Sequence, residues 1–168
     1  IYDGVQTKVY KPSEFHRQNA NPIGNQTHFI AGDKDGNVFF DSDQSLIRYD
    51  IQTQKFSCLR KSNVYTVASI KGTIWVGIAD SILTWNPDKN DFDFVTRLEN
   101  RNQRATCLLE DSGGRYWIGT TDGLFRMNDD KSLTCMIMGE DIYDLYEDSK
   151  YNLWISIRMN GMYKRDVH

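Results

Sequence analysis

The chain has 168 residues and a net charge of −3, and 39% of its residues are hydrophobic and 26% charged. These proportions are typical of soluble globular proteins. The slight negative charge gives no electrostatic reason to expect nucleic acid or an anionic membrane surface as a partner. No apolar run approaches the roughly 20 residues of a membrane-spanning helix, so we expect no membrane contact by this chain.

Short strands joined by turns are predicted along the chain, and the first is a lone strand at Gln6–Tyr10. A polar connection follows, because the next segment contains Pro12, Pro22 and several Asn and Gln residues. The first full repeat is predicted to begin with a strand at His28–Gly32 and to carry a loop at Asp41–Gln44. Three further repeats of similar pattern follow it.

An aromatic residue recurs in the middle of one strand of each repeat, at Phe39, Trp75, Trp117 and Trp154. Successive copies are 36, 42 and 37 residues apart. A glycine stands three residues before the aromatic residue in the first three copies, at Gly36, Gly72 and Gly114. A period of about 40 residues with four strands per repeat is that of a β-propeller blade.

The apolar pattern within each repeat favours a propeller over a β-sandwich. The first three strands are apolar on both faces, as in Tyr116–Ile118, whereas the outermost strand alternates, as in Asp91–Val95. A blade is covered by a neighbour on each side, so its inner strands are buried on both faces. A sandwich would show one solvated face on most of its strands.

We therefore predict an all-β fold, a β-propeller fragment of about four blades with four antiparallel strands each. The predicted divisions are 1–19 for the end of a preceding blade and a linker, 20–60, 61–100 and 101–138 for three blades, and 139–168 for an incomplete blade. Because rings of six to eight blades are more usual than rings of four, we expect an incomplete ring. Its end blades would expose apolar faces that need the remaining blades of a parent protein, or a second copy, as partner. Alternatively, Gln6–Tyr10 completes the last blade of a closed ring.

The third repeat carries a recognisable motif. Residues Glu110–Phe125 resemble the two-component regulator propeller repeat, with Glu-Asp, a small-Gly turn, Trp-Ile-Gly-Thr and Gly-Leu in order. The fourth repeat keeps Glu147-Asp148 and Leu153–Ile155, and the second keeps Ile74–Gly77. The resemblance runs from about Asn25 to the C-terminus.

This resemblance implies a piece of the periplasmic sensor region of a Bacteroides-type hybrid two-component histidine kinase. Many members of that family sense oligosaccharides, so it implies a non-catalytic fragment that recognises a glycan or transmits the signal. Two alternatives stay open, a protein-interaction scaffold without a small ligand and a propeller carbohydrate-active enzyme. A glycan screen without any binder would favour the scaffold, and turnover of an oligosaccharide would favour the enzyme.

Several residue patterns suggest chemistry but have a simpler structural explanation. The recurring aromatic residues Phe39, Trp75, Trp117 and Trp154 are predicted to form the core between blades and not a sugar-stacking platform. The pairs Glu110-Asp111 and Glu147-Asp148 recur at strand ends, where Asp caps the backbone amides of a tight turn. His and Cys residues show no metal-ligand spacing. We expect no catalytic residues, no metal and no cofactor in this chain.

Binding residues are expected in the loops at one end of the ring, which enter each inner strand or join the second strand to the third. Side chains there that hydrogen-bond sugar hydroxyls or carboxylates are the candidate ligand-binding residues. They are Arg101, Arg104, Asp122, Arg158, Asp43 and Asp80.

Overall fold

A computed structural model describes residues 26–42, 44–100 and 102–166, and within these ranges the chain forms fifteen strands and no helix. The predicted strand at Gln6–Tyr10 and its polar connection lie outside the described residues. The strands are β1 (Ile30–Gly32), β2 (Val38–Ser42), β3 (Ser45–Asp50), β4 (Lys55–Arg60), β5 (Val64–Ile70), β6 (Thr73–Ile78), β7 (Ser81–Asn86), β8 (Asp91–Arg97), β9 (Ala105–Glu110), β10 (Tyr116–Thr120), β11 (Gly123–Met127), β12 (Leu133–Met138), β13 (Ile142–Glu147), β14 (Asn152–Ile157) and β15 (Gly161–Asp166). None of the described segments is a helix long and apolar enough to cross a membrane.

The strands form four separate antiparallel sheets in which strand order follows chain order. We call them blade 1 (β1–β4), blade 2 (β5–β8), blade 3 (β9–β12) and blade 4 (β13–β15). Blades 1 to 3 have four strands, and the described part of blade 4 has three. The innermost strands contact one another in chain order, β1 with β5, β5 with β9 and β9 with β13. The predicted all-β, propeller-like fold is confirmed.

In blade 1, the end of the second strand and the start of the first strand differ from the prediction. Asp41 and Ser42 belong to β2 and pair with Leu46 and Ser45, although they were expected in a loop. β1 begins at Ile30 and not at His28, because the carboxylate of Asp41 accepts the backbone N–H of His28 and its neighbour at 2.8 Å and 2.7 Å. Those amides therefore have a side-chain partner in place of a strand partner.

Three of the four recurring aromatic residues are buried between consecutive blades. Phe39 packs edge-on against Trp85 of blade 2, and Trp75 stacks on Tyr116 of blade 3 with ring centroids 5.0 Å apart. Trp117 is 2% exposed and packs in the cluster that blade 4 completes. Each of these rings thus faces the next blade along the chain.

Trp154 differs from the prediction that all four aromatic residues form core between blades. Leu153, Ile155 and Ile157 of the same strand face blade 3, so by the alternation of a strand Trp154 lies on the opposite face of blade 4. It is half-buried there, beside the exposed side chains of Tyr146 and Met162. No described blade covers this face.

The Asp of the Glu-Asp pair stabilises the turn of its own blade. Asp111 accepts hydrogen bonds from the backbone N–H of Arg115 at 2.9 Å and from the indole Nε1 of Trp117 at 2.8 Å. Asp148 accepts the indole N–H of Trp154 at 2.8 Å in the same way. Each aspartate therefore joins a turn to the aromatic residue of the following strand.

The Glu of the pair contacts the preceding blade. Glu147 accepts hydrogen bonds from the backbone N–H and the hydroxyl of Ser112, both at 2.8 Å. Glu110 forms an ion pair with Lys71 in the turn of blade 2. The carboxylates that could suggest acid–base catalysis therefore hold turns and neighbouring blades together.

Candidate functional site

A cleft of about 820 Å³ opens where the four blades meet. We call it the central cleft. Its polar and aromatic lining includes His28, Tyr65, Arg104, Thr106, Tyr143 and Arg158, which come from all four blades. Clefts of 300–1,000 Å³ are the usual size of small-molecule sites in proteins.

Backbone hydrogen bonds place two of the predicted loops at the rim of the cleft. The N–H of Thr121, between β10 and β11, donates to the carbonyl of Arg104, which precedes β9, at 3.0 Å. In blade 4 the N–H of Arg158 donates to the carbonyl of Asp141 at 2.8 Å. In blades 3 and 4 the link into the inner strand and the loop after the second strand therefore meet at one end of the blade.

The second residue of the inner strand bulges toward the cleft in three consecutive blades. In the pairing of β5 with β6, the register shifts between Val64 and Thr66 and leaves Tyr65 without a partner residue. Corresponding shifts isolate Thr106 in β9 and Tyr143 in β13. A β-bulge redirects a side chain away from the regular alternation, and such bulges are frequent beside binding sites.

Each bulged tyrosine carries an arginine over its ring. The guanidinium carbon of Arg104 lies 5.1 Å from the ring centroid of Tyr65, and that of Arg158 lies 5.0 Å from the ring centroid of Tyr143. A guanidinium at this distance is attracted to the negative face of the ring. The two contacts hold both arginines in place at the cleft.

Hydrogen bonds to protein groups fix the cations further. The Nε of Arg158 donates to Asp141 at 2.9 Å, and the Nη1 of Arg104 donates to the carbonyl of Gln103 at 2.7 Å. The Nδ1 of His28 lies 2.9 Å from a carboxylate oxygen of Asp41. These basic side chains are thus part of local polar networks.

The predicted binding residues fall into three groups. Arg104 and Arg158 line the central cleft. Asp122 is exposed beside the cleft and accepts a long hydrogen bond of 3.4 Å from the Nε2 of Gln103. Asp80 accepts the hydroxyl of Ser81 at 3.0 Å and does not line the cleft. The remaining two, Asp43 and Arg101, lie outside the described residues.

Lining residues that were not among the predicted binding residues include His28, Tyr65, Thr106, Tyr143 and Asp144. The tyrosines had a signal in the sequence, because both stand second in an inner strand. The bulges that turn them toward the cleft depend on strand pairing. His28 is held there by Asp41, which lies 13 residues away in the chain.

Burial and spacing decide the chemistry open to the thiol that lines the cleft and to the metal-ligating side chains of the described residues. Burial raises the pKa of the Cys107 thiol to about 12, so it stays protonated at neutral pH. Among residues 26–42, 44–100 and 102–166, His, Cys, Asp and Glu do not gather in groups of three that could hold a metal ion. Thr106 donates its hydroxyl hydrogen to the backbone carbonyl of Ile142 at 2.5 Å.

One segment of the sequence matches a known family. Residues 101–122 match the family described as two component regulator propeller. The match covers the link into blade 3, its inner two strands and the turn that follows them. Among curated protein sequences, none matches this chain.

Several solved propeller structures are similar to the whole described fold. The extracellular domain of a putative hybrid two component system from B. thetaiotaomicron is 18% identical, with a TM-score of 0.72 over 88% of this chain and 22% of that one. PorZ, a surface component of the type-IX secretion system of Porphyromonas gingivalis, is 16% identical, with a TM-score of 0.69 over 96% of this chain and 28% of that one.

An enzyme has a similar fold as well. Virginiamycin B lyase from Staphylococcus aureus is 15% identical, with a TM-score of 0.63 over 86% of this chain and 58% of that one. At this level of identity the likeness shows the fold alone. The chain spans 22% and 28% of the two larger structures and 58% of the lyase.

Proposed function

We propose that this chain is a non-catalytic ligand-recognition fragment of the extracytoplasmic, periplasmic sensor region of a hybrid two-component signalling receptor, and that it responds to oligosaccharides. The match of residues 101–122 to the regulator propeller family supports the receptor assignment. The likeness to the extracellular domain of a hybrid two component system supports the extracytoplasmic location. The observation that carries the ligand proposal is the central cleft itself.

The cleft combines the two kinds of group that bind carbohydrate. Tyr65 and Tyr143 present large aromatic surfaces, which pack against the apolar faces of ligands. Arg104, Arg158 and Thr106 supply donors and an acceptor for hydroxyl groups. Residues from all four blades line one continuous cleft, so a ligand with several sugar units could contact each blade.

A non-catalytic role is supported by how the carboxylates of the chain are used. Asp111 and Glu147 are engaged in turns and in contacts between blades. Among the described residues that line the cleft, Asp144 is the one carboxylate. Glycoside hydrolysis ordinarily needs a pair of them on opposite sides of the scissile bond.

The open face of blade 4 is the proposed docking surface for the remaining blades of a parent protein or for a second copy. Tyr146 and Met162 are 66% and 67% exposed beside Trp154. The equivalent face of blade 3, around Trp117, is covered by blade 4. Exposed apolar faces of this kind are typical of interaction surfaces.

Sedimentation velocity of the isolated chain tests this surface. We expect dimers or larger species, and Tyr146→Ser should shift them toward monomer because it removes apolar area from the open face. The matched control is Tyr163→Ser, since Tyr163 pairs with Ile155 and lies on the face toward blade 3. A clean monomer at high concentration would contradict a second copy as the partner of this face.

The ligand proposal is tested by calorimetric titration of the chain with a panel of neutral and acidic tetrasaccharides, each also incubated with the protein and analysed for cleavage. Binding of at least one tetrasaccharide without cleavage supports a sensor. Cleavage or elimination of any member would overturn the non-catalytic assignment. Failure of every member to bind would favour a protein-interaction scaffold.

A further inference from the structure

We infer that the central cleft selects uncharged saccharides over acidic ones, an inference that rests on the proposed recognition of oligosaccharides. Three features carry it: the pairing of charges at the cleft, the mixture of donors and acceptors, and the ring of bulged side chains. Each is independent of the sequence match to a signalling family.

The charges at the cleft are balanced. Arg158 is paired with Asp141, and the carboxylate of Asp41 lies 2.9 Å from the Nδ1 of His28. Arg104 is the further cation of the described lining, which also includes the exposed carboxylate of Asp144. An acidic sugar would have to compete with Asp141 for Arg158 and would approach the negative charge of Asp144. Like charges without compensation disfavour binding, whereas a neutral sugar meets neither cost.

The polar groups suit hydroxyls better than carboxylates. A hydroxyl both donates and accepts hydrogen bonds, whereas an ionised carboxylate only accepts them. Thr106 uses its hydrogen on the carbonyl of Ile142, so its oxygen is left to accept from a ligand. Asp144 is a further acceptor, and the Nη groups of Arg158 are donors. A site that offers acceptors as well as donors matches the bonding capacity of sugar hydroxyls.

The β-bulges place these lining side chains at equivalent positions in consecutive blades. Tyr65, Thr106 and Tyr143 hold the same position in three consecutive inner strands, and all three line the cleft. The arginines over the two tyrosines are fixed by ring contacts and hydrogen bonds before any ligand arrives. Preorganised polar groups lose less conformational freedom on binding, so a ligand can bind there without forming an ion pair.

Calorimetric titration with matched tetrasaccharides tests the inference. The neutral probes are the gluco-, galacto-, manno- and xylo-tetraoses, and the acidic probe is the galacturonic acid tetrasaccharide, with its methyl ester as an uncharged match. We expect a neutral tetrasaccharide to bind at least about tenfold more tightly than the acidic one. The affinity of the neutral tetrasaccharide should change less than about twofold between 50 and 500 mM NaCl, because this ligand has no net charge for salt to screen.

Substitutions of cleft residues test whether the saccharide binds in the central cleft. Tyr65→Ala, Tyr143→Ala and Arg104→Ala should each weaken neutral binding by about tenfold, the equivalent of one lost hydrogen bond or ring contact. The matched controls are Tyr163→Ala and Arg97→Ala, whose side chains lie outside the cleft, and these should bind as the wild type does. Circular dichroism and thermal melting of each variant check that it folds.

The outcomes separate this inference from the proposed function. Tighter binding of the acidic tetrasaccharide than of its methyl ester would overturn the inference and leave oligosaccharide recognition standing. Neutral binding that the cleft variants leave unchanged would overturn the assignment to this cleft alone. Absence of binding by every probe would overturn both.

Discussion

Substitution of Asp111 by Asn probes the contact that joins the turn of blade 3 to its central tryptophan. Asp111 is buried and accepts hydrogen bonds from the indole of Trp117 at 2.8 Å, from the Nε of Arg115 at 2.6 Å and from the backbone N–H of Arg115. An amide can replace one carboxylate oxygen as acceptor. Its NH₂ group would then face two donors.

The expected loss follows from these partners. A hydrogen bond to a charged group contributes about 1.5–3 kcal/mol, and two such bonds are lost. Arg115 is about one-third exposed, so water replaces much of its contact. The indole of Trp117 is buried and has no such replacement. We therefore expect Asp111→Asn to lower the free energy of unfolding by about 2–4 kcal/mol.

Urea unfolding followed by tryptophan fluorescence measures this loss. The matched variant is Asp148→Asn, which breaks the same bond to Trp154. Trp154 is half-buried on the open face, so solvent can satisfy its indole and the loss should be smaller. A loss below about 1 kcal/mol for Asp111→Asn, or an equal loss for both variants, would refute the reasoning.

The same contact makes stability depend on pH. Burial raises the pKa of Asp111, but the hydrogen bonds from Trp117 and Arg115 lower it more, so its folded pKa lies below the ordinary value of 3.8. A lowered folded pKa means that the carboxylate stabilises the fold above the unfolded pKa and that this stabilisation is lost as pH falls through the folded value. The stability difference between wild type and Asp111→Asn should therefore shrink below about pH 3.8.

Three further predictions concern backbone positions and thiols. Gly119→Ala should destabilise the fold by about 1–3 kcal/mol in urea unfolding, because its Cβ would overlap the sulfur of Cys107. Gly32→Ala should change stability little, because its Cβ would make only an ordinary contact, at 3.7 Å, with the backbone oxygen of Asn37; equal effects would contradict the close contact at Gly119. Tyr151 has a φ of 64° at the position that glycine holds in the other three blades, so Tyr151→Gly should raise the melting temperature, by relief of about 0.5–1 kcal/mol. Iodoacetamide at pH 8 should modify the exposed Cys135 well before Cys107, because burial raises the pKa of the Cys107 thiol to about 12. Mass spectrometry measures the two rates of modification. Equal rates would show that blades 3 and 4 open readily.

The period and the strands were predictable because they depend on local chemistry. Alternation, turn glycines and a recurring aromatic residue identify four strand-rich repeats, and the structure forms one antiparallel sheet from each of them. The start of β1 was not predictable. The amides of His28 and Phe29, which precede this strand, bind Asp41, a residue that was expected in a loop and that lies in β2.

The binding residues also divide into those that local sequence predicts and those that depend on the tertiary structure. Arg104 and Arg158 were found because loop position and residue type together indicate a polar rim. Tyr65 and Tyr143 were missed because a bulge is a property of two paired strands, and neither strand alone specifies it.

The sequence by itself determined the all-β repeat architecture, since each blade repeats one local pattern of apolar strands and tight turns. The tertiary structure alone decided which repeated residues are buried and which meet at the cleft. Trp117 and Trp154 have the same local sequence role and the same bond to an aspartate. One is covered by a neighbouring blade and the other is half-exposed, because burial depends on what packs against a face and not on the residues that form it.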